Sequence, residues 1–262
     1  MNMDMEALRA FFAGRVIGRR IEYREETGST NTEALRLALE GTPEGTVVVA
    51  DAQTEGRGRL DRTWESPPSK NLYLSVVLRP DIPAVTASLV PLMTGVAVAD
   101  VLSQHCPGRV RLKWPNDVLV GGKKICGMLT EMRTRGDRVQ FLIVGIGLNV
   151  NMRKPDFPPG LRNTATSLQI ETNCELDRLD VAVRLFEALE RWYRIFLGGG
   201  RDAIREAWLR VADIVGRRVA VVCGDAVQRG TVAGLDASGA LLLEGEAGMQ
   251  QVLAGDVYIE RL

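Results

Sequence analysis

The sequence predicts an α+β protein in two parts, a large domain over residues 1–213 and a small all-β domain over residues 214–262. Residues 84–105 and 177–197 carry apolar side chains at helical spacing, and short apolar or alternating runs around them are typical of strands. From Gly216 onwards the pattern changes to about five short strands separated by glycine-rich turns. This change places the predicted domain boundary near residue 214.

Further helices of the large domain are predicted where apolar residues recur every three or four positions. Residues 5–20 have this spacing, and Thr30 with Glu33 matches a capping box that starts the next helix. The long helix that contains Pro91 must start, kink or break at that residue. A shorter helix is predicted around Trp208.

Strands of the large domain are predicted from continuous or alternating apolar runs. Residues 46–50 form a continuous run, which indicates a strand buried on both faces. Gly121 and Gly122 lie between two short runs and are typical of a hairpin turn. The predicted strands cover residues 46–50, 72–78, 109–114, 117–120, 124–132 and 139–147.

Charge balance and cysteine spacing disfavour several classes of function. Lys and Arg together number 33, as do Asp and Glu, whereas nucleic-acid-binding proteins usually carry a basic excess. The sequence shows no long uncharged apolar span and no typical signal peptide, so we expect a cytoplasmic protein that is not bound to a membrane. The four cysteines form no CxxC pair, which disfavours a zinc site, and the single histidine, His105, has no partner in sequence for general-base chemistry.

Residues 53–64 form a polar loop rich in glycine and arginine between two predicted strands. Glycine lets backbone N–H groups approach a ligand closely, and arginine presents a planar fork that suits carboxylate or phosphate. The loop therefore fits an anionic, phosphate-bearing ligand. A solvated basic loop or a nucleic-acid patch has the same composition.

Three further segments carry candidate binding residues. Residues 111–117 contain a lysine, an asparagine and an aspartate that can hold Mg²⁺ and phosphate, although a strand end with a Pro-Asn-Asp turn explains the same pattern. Lys124 is either a polar hairpin residue or a cation aimed at an acyl phosphate. The alternate glycines of residues 144–151 indicate either a flat floor for a ligand or a tightly packed strand, and they lack the spacing of a dinucleotide-binding motif.

Taken together and in this order, these segments resemble the biotin–protein ligase family, in the form without an N-terminal DNA-binding domain. The resemblance runs from about residue 25 to the C-terminus. The matching motifs are Gly28-Ser29-Thr30-Asn31, Gln53 with Gly56-Arg57-Gly58-Arg59, Trp64, Asn71-Leu72-Tyr73-Leu74-Ser75, Lys113-Trp114-Pro115-Asn116-Asp117, Lys124 with Gly127, and Gly145-Ile146-Gly147-Leu148-Asn149. The KWPND and GRGR segments are each fairly specific, and their combination is highly specific.

The resemblance implies a fold and a reaction. The fold is a class II synthetase-like catalytic domain, with a mixed, mainly antiparallel sheet and helices on one face, followed by an SH3-like β-barrel. In the implied reaction, biotin attacks the α-phosphate of MgATP to give biotinyl-5′-AMP, and a lysine of the biotin carboxyl carrier protein, an acetyl-CoA carboxylase subunit, then takes the biotinyl group. Because both nucleophiles come from substrates, the protein needs only to position ligands and neutralise charge. Many members of this family form homodimers through the sheet edge.

Residue by residue, the resemblance implies contacts with each substrate. Contacts with biotin are implied for Ser29, Thr30, Asn31, Gln53, Arg57, Gly58, Arg59, Lys124, Gly127, Gly145 and Gly147. Contacts with the nucleotide are implied for Trp64, Asn71, Lys113, Asn116 and Asn149. The catalytic charges are implied to be those of Lys124, Arg57, Lys113 and Asp117, with Asp117 as the acid linked to Mg²⁺.

One segment departs from the family pattern, since Leu60-Asp61 stands where many members carry further basic or glycine residues. We expect the arginine loop (residues 56–64) to be mobile until biotin or the adenylate orders it, because its clustered positive charge has no partner before an anion binds. A lipoate–protein ligase, which shares the fold and the adenylate chemistry, is the alternative enzyme. A nucleic-acid-binding protein and an inactive carrier-binding scaffold are the alternatives of other classes.

Overall fold

The computed structural model describes residues 5–12, 14–246 and 248–260, and within them seven strands form one mixed sheet in the large domain. The strands are β1 Arg20–Thr27, β2 Thr46–Gln53, β3 Leu72–Leu78, β4 Val110–Lys113, β5 Asp117–Val120, β6 Lys123–Arg135 and β7 Arg138–Leu148. Their order is β1-β2-β3-β7-β6-β5-β4; β1 and β2 are parallel, and the other neighbours are antiparallel. The predicted mixed, mainly antiparallel α+β fold is confirmed.

Helices cover both faces of this sheet. They are α1 Met5–Phe11, α2 Thr30–Leu39, α3 Leu89–His105, α4 Leu168–Thr172, α5 Arg178–Leu197 and α6 Arg201–Ala212. Val47 and Val49 of β2 belong to the large core that α3, α5 and α6 share. Val48 instead packs in a smaller core with Leu37 of α2 and Phe141 of β7. Since side chains alternate between the faces of a strand, α2 lies opposite the long helices, and the implied placement of all helices on one face is wrong.

The apolar stretch 84–105 forms a 3₁₀ turn, Ala84–Ser88, followed by α3. Pro91 lies in the first turn of α3, where backbone N–H groups have no helical partner, so the helix tolerates it there. Among the residues that the structure describes, this is the one stretch with the length and hydropathy of a membrane span, and 78% of its most apolar window is buried inside the protein. It is therefore a core helix.

The N-terminal helix is much shorter than the predicted span of residues 5–20. It ends at Phe11, and the following segment contains Gly14 and Gly18, both with φ of +83°, a backbone conformation that stops a right-handed helix. Ala13, inside the predicted span, lies outside the described residues. From Arg20 the chain forms β1, which the sequence did not predict because its residues are mostly charged and only Ile21 is buried.

The capping box predicted for α2 is also wrong. Ser29 is the N-cap residue, and Thr30 already lies within the helix. The Thr30 hydroxyl donates to Gln53 Oε1 (3.1 Å) instead of capping, and the Glu33 carboxylate pairs with Arg24 and Arg36. The Thr30 side chain therefore does not cap α2. It belongs instead to a hydrogen-bond network that includes Gln53.

The C-terminal residues form a five-stranded antiparallel sheet, as predicted. Its strands are β8 Arg218–Cys223, β9 Ala226–Leu235, β10 Leu241–Gly245, β11 Gly248–Val252 and β12 Asp256–Ile259, in the order β11-β10-β9-β8-β12. β11 is largely polar and forms an edge of this sheet.

The C-terminal sheet contacts the large domain beside the KWPND segment. Trp114, only 3% exposed, donates its indole N–H to the carbonyl oxygen of Gly239 at 3.2 Å. Gly239 has a φ of +85°, and a Cβ there would lie 2.7 Å from Leu92 of α3, so the close approach requires glycine. In the same sheet, Asp256 of β12 borders a cavity of the large domain.

Candidate functional site

A cavity of about 510 Å³ lies where β5, β6 and β7, the start of α2, the arginine loop and β12 meet. Its volume is that of a typical small-molecule site. Every predicted site residue except Asn71 lines this cavity. These residues are Ser29, Thr30, Asn31, Gln53, Arg57, Gly58, Arg59, Trp64, Lys113, Asn116, Asp117, Lys124, Gly127, Gly145, Gly147 and Asn149.

Asn71 does not line the cavity, so its predicted contact with a nucleotide is corrected. Its side chain is completely buried, and its amide nitrogen donates to Tyr73 Oη (3.1 Å) and Asn149 Oδ1 (3.3 Å). Its amide oxygen accepts from the backbone N–H of Val150 (2.9 Å). Asn71 therefore holds Asn149, which does line the cavity.

A network of uncharged polar groups surrounds the start of α2. Gln53 Oε1 accepts from the Thr30 backbone N–H (2.8 Å) and hydroxyl (3.1 Å), while Gln53 Nε2 donates to Ser66 Oγ (2.9 Å). Ser75 Oγ lies 2.8 Å from Thr30 Oγ1 and 2.6 Å from Asn31 Oδ1. This end of the cavity thus presents mutually oriented donors and acceptors without a charge on any of them.

Five cationic side chains line the cavity: Arg57, Arg59, Arg62, Lys113 and Lys124. Lys124 Nζ lies 2.7 Å from Asp117 Oδ1 and 5.4 Å from the centroid of the Trp64 ring. Lys113 Nζ lies 4.8 Å from the ring centroid of Tyr258 on β12. The convergence of five cations favours an anionic ligand in this part of the cavity.

The charges of the arginine loop have partners within the protein. Arg57 Nη1 lies 3.3 Å from Glu131 Oε1, and Arg59 Nη1 donates to Asn116 Oδ1 (3.0 Å). Arg62 donates to Asp256 Oδ2 at 2.6 Å, and this hydrogen bond raises the pKa of Arg62. The reason given for a mobile loop, unpaired positive charge, is therefore wrong. Mobility itself stays a prediction.

Leu60 and Asp61 form a tight turn at the tip of the arginine loop. Both have φ of +55°, the left-handed region that two-residue hairpin turns require at their central positions. The backbone N–H of Arg62 donates to the carbonyl of Arg59 (3.2 Å), and that of Gly58 donates to the carbonyl of Arg62 (2.7 Å). Leu60-Asp61, the segment that departs from the family pattern, thus closes the tip of the loop into a small hairpin.

The alternate glycines of β7 accommodate side chains of the protein. A Cβ on Gly145 would overlap Asn31 Oδ1, and a Cβ on Gly147 would overlap the Trp64 indole. Gly127, paired with Gly147 across β6 and β7, also lies under this ring, with Trp64 Cζ3 2.9 Å from its Cβ position. The glycines therefore let Asn31 and Trp64 lie flat against the sheet, where both side chains line the cavity.

Several contributors to the site were missed by the sequence analysis. Glu131 and Asp256 hold the arginines from β6 and β12, far apart along the chain, and no local motif marks either residue. The apolar wall made by Met152, Phe157 and Leu161 comes from an irregular segment. Phe157 carried a weak signal, since aromatic residues make up only 5% of the chain and this one is surrounded by prolines.

The fold and the cavity define an α+β protein with a cation-lined cavity between its central sheet and the C-terminal sheet. The family model for the biotin/lipoate A/B protein ligase family matches residues 23–149, and that for the biotin protein ligase C-terminal domain matches residues 214–259. The chain belongs to the biotin/lipoate A/B protein ligase family.

Individual relatives show the same similarity. The chain is 37% identical over 244 residues to the bifunctional ligase/repressor BirA of Bacillus subtilis (93% of this chain, 75% of that protein). It is 38% identical over 237 residues to the biotin–[acetyl-CoA-carboxylase] ligase of Paracoccus denitrificans (88% and 97%). The solved structure of biotin protein ligase from Aquifex aeolicus in complex with biotin and ATP superimposes with a TM-score of 0.74 at 30% identity, covering 93% of this chain and 100% of that chain.

Proposed function

We propose that the protein is an ATP-dependent biotin–[acetyl-CoA-carboxylase] ligase, which forms biotinyl-5′-AMP and transfers biotin to a lysine of the biotin carboxyl carrier protein. The observation that carries this proposal is one cavity with an uncharged hydrogen-bonding end, around Thr30 and Gln53, and a cationic end, around Arg57 and Lys124. Biotin has the matching polarity, a neutral ureido head and a carboxylate tail. The names of the relatives support the assignment.

The first step joins biotin to the nucleotide. Ser29, Thr30 and Gln53 bind the ureido head, which places the carboxylate among the cations. A carboxylate oxygen attacks the α-phosphorus of ATP, a new P–O bond forms, and the bond to pyrophosphate breaks. Lys124 and Arg57 neutralise the charge that develops on the oxygens, which is the largest contribution such a preorganised site can make.

The nucleotide occupies the side of the cavity nearest β5 and β12. Trp64 and Asn149 border the adenine, while Lys113 and Asn116 face the phosphates. Within the described residues, no group of three or more His, Cys, Asp or Glu side chains is arranged to hold a metal. Asp117, which also contacts Lys124, is the lining carboxylate we assign to Mg²⁺ that arrives on ATP, since this ion binds through one or two carboxylates together with substrate phosphates. When bound, Mg²⁺ supplies charge neutralisation at the phosphates.

In the second step the carrier lysine is the nucleophile. Its amine attacks the carbonyl carbon of the adenylate, the C–N bond forms, and the C–O bond to AMP breaks with AMP as the leaving group. His105 lies at the end of α3, outside the lining of the cavity, and takes no part. The acyl-adenylate is itself activated, so positioning of the two reactants carries this step.

The proposal extends to partners and location. The protein acts in the cytoplasm on the carrier subunit of acetyl-CoA carboxylase, without nucleic acid or membrane as partners, in line with its balanced charge. A homodimer through an edge of the central sheet is part of the proposal, as is the division into a catalytic domain, residues 1–213, and an SH3-like domain, residues 214–262.

Biotin-dependent exchange of labelled pyrophosphate into ATP tests the adenylation step. Purified protein with Mg²⁺ is assayed with biotin and, in parallel, with lipoate. Exchange with biotin alone supports the proposal. Exchange with lipoate instead would contradict biotin as the substrate and favour the lipoate–protein ligase alternative. Exchange with neither compound, in folded protein, would favour an inactive carrier-binding scaffold.

A further inference from the structure

Glu131 of β6 holds two residues of the site at once. Its Oε2 accepts a hydrogen bond from Asn31 Nδ2 at 2.7 Å, and its Oε1 lies 3.3 Å from Arg57 Nη1. Asn31 and Arg57 both line the cavity, whereas Glu131 is not among the lining residues. The carboxylate therefore stands behind the two side chains that face the ligand.

The register of the sheet explains how Glu131 reaches Asn31. Leu129 pairs with Gly145 across β6 and β7, and Glu131 follows two positions later on the same face of β6. Because Gly145 has no side chain, the Asn31 amide lies directly over the strand, where its nitrogen also donates to the Leu129 carbonyl (3.3 Å). Asn31 belongs to the first turn of α2, and its amide is thereby held against the carboxylate of Glu131.

The carboxylate also restricts Arg57. That side chain is about half exposed, so without a partner its long flexible stem has many alternative conformations. Glu131 contacts one terminal nitrogen of the guanidinium, and the planar fork has further N–H groups that remain available for an anion. One carboxylate thus orients an uncharged and a cationic side chain of the cavity lining.

We propose that Glu131 is a positioning residue that couples the head-group end of the biotin site, through Asn31, to the carboxylate end, through Arg57. The inference rests on the proposed function, because it assigns those two ends to biotin. Glu131 touches no substrate. Glu131 orients Arg57 towards the biotin carboxylate. It also orients Asn31 within the hydrogen-bond network that binds the biotin head group.

Calorimetric titration with two probes, biotin and biotin methyl ester, tests this assignment. In Glu131→Gln, the amide oxygen can still accept from Asn31, but the charge facing Arg57 is lost. We expect the Kd for biotin to rise about tenfold in this variant, and the Kd for the uncharged ester to stay within about twofold of the wild-type value. Glu131→Ala removes both contacts and should weaken both ligands.

Controls separate positioning from general damage. Glu40→Gln breaks an exposed ion pair with Arg36 outside the cavity and should leave both Kd values unchanged, and thermal unfolding reports whether each variant is folded. Unchanged biotin affinity in Glu131→Gln, or equal losses for biotin and its ester, would overturn the inference while leaving the proposed function intact. Wild-type protein that fails to bind biotin would overturn the proposed function, and the inference with it.

Discussion

Lys124 Nζ and Asp117 Oδ1 lie 2.7 Å apart, on the neighbouring strands β6 and β5. The pair sits within the lining of the cavity, beside the glycines that let Trp64 approach the sheet. The ion pair with Asp117 therefore fixes the direction in which the lysine points. An orientation set in advance is what electrostatic stabilisation of a developing charge requires.

Replacement of Lys124 should abolish most of the adenylation activity. In Lys124→Ala the developing charge loses its donor and Asp117 loses its counter-ion, so we expect pyrophosphate exchange to fall by about 100-fold or more. Lys124→Arg keeps the charge with a different geometry and should retain more activity than the alanine variant. Unfolding temperatures of both variants serve as the control for folding. Full exchange activity in Lys124→Ala would contradict the role assigned to this residue.

A methyl group on either β7 glycine should damage the site. In Gly147→Ala the new Cβ displaces the Trp64 indole, and in Gly145→Ala it displaces Asn31. We expect a stability loss of about 1–3 kcal/mol in urea unfolding together with weaker biotin binding. Gly160→Ala is the matched control, because its Cβ meets open space. Wild-type behaviour of Gly147→Ala in both measurements would show that the indole does not depend on this glycine.

The arginine loop should become more protected when ligand binds. Trypsin can cleave after Arg57, Arg59 and Arg62, and cleavage requires local opening of the loop. We expect biotin with ATP to slow cleavage at these sites, because the bound anions add partners to those the arginines already have. The fragments can be assigned by mass. Equal cleavage rates with and without ligand would argue against ordering of the loop.

Acid should remove the stabilisation that Glu33 contributes. Hydrogen bonds from Arg36 and Arg24 lower the pKa of Glu33 from its ordinary value of 4.5 to about 2. Since the folded-state pKa is the lower one, the contribution is complete above about pH 4.5 and is lost as the pH falls towards 2.

Urea unfolding of the wild type and Glu33→Gln measures this contribution. We expect the wild type to be more stable by about 1 kcal/mol near neutral pH, and this difference to shrink towards zero as the pH approaches the folded-state pKa. A difference that is independent of pH would refute the linkage.

The sequence predicted the lining of the cavity better than the contacts that support it. Thr30, Arg57, Lys113 and Lys124 line the cavity, and each was predicted from a short motif whose residues stay together in the fold. Asn71 belongs to such a motif too, yet burial commits its amide to Asn149 and the backbone. A motif does not reveal which of its members face the ligand.

Contacts between segments that lie far apart along the chain could not be predicted from the sequence. Asp256 meets Arg62 only because the C-terminal sheet packs beside Trp114, and nothing near residue 256 in the chain indicates that arrangement. The strand β1 was missed for a different reason, since a charged edge strand lacks the apolar alternation by which strands are recognised. The sequence pattern placed the N-cap of α2 at Thr30, whereas the N-cap is Ser29. The pattern could not show that the Thr30 hydroxyl bonds to Gln53, which is distant along the chain.

Transfer of biotin to a carrier is the most direct test of the proposed ligase activity. The protein is incubated with biotin, MgATP and a biotin carrier domain, and the carrier is analysed by mass spectrometry, with a carrier whose target lysine is replaced by arginine as control. We expect one biotinyl group on that lysine, dependent on both ATP and biotin and absent from the control. An unmodified carrier, in the presence of protein that is folded and binds biotin, would contradict it.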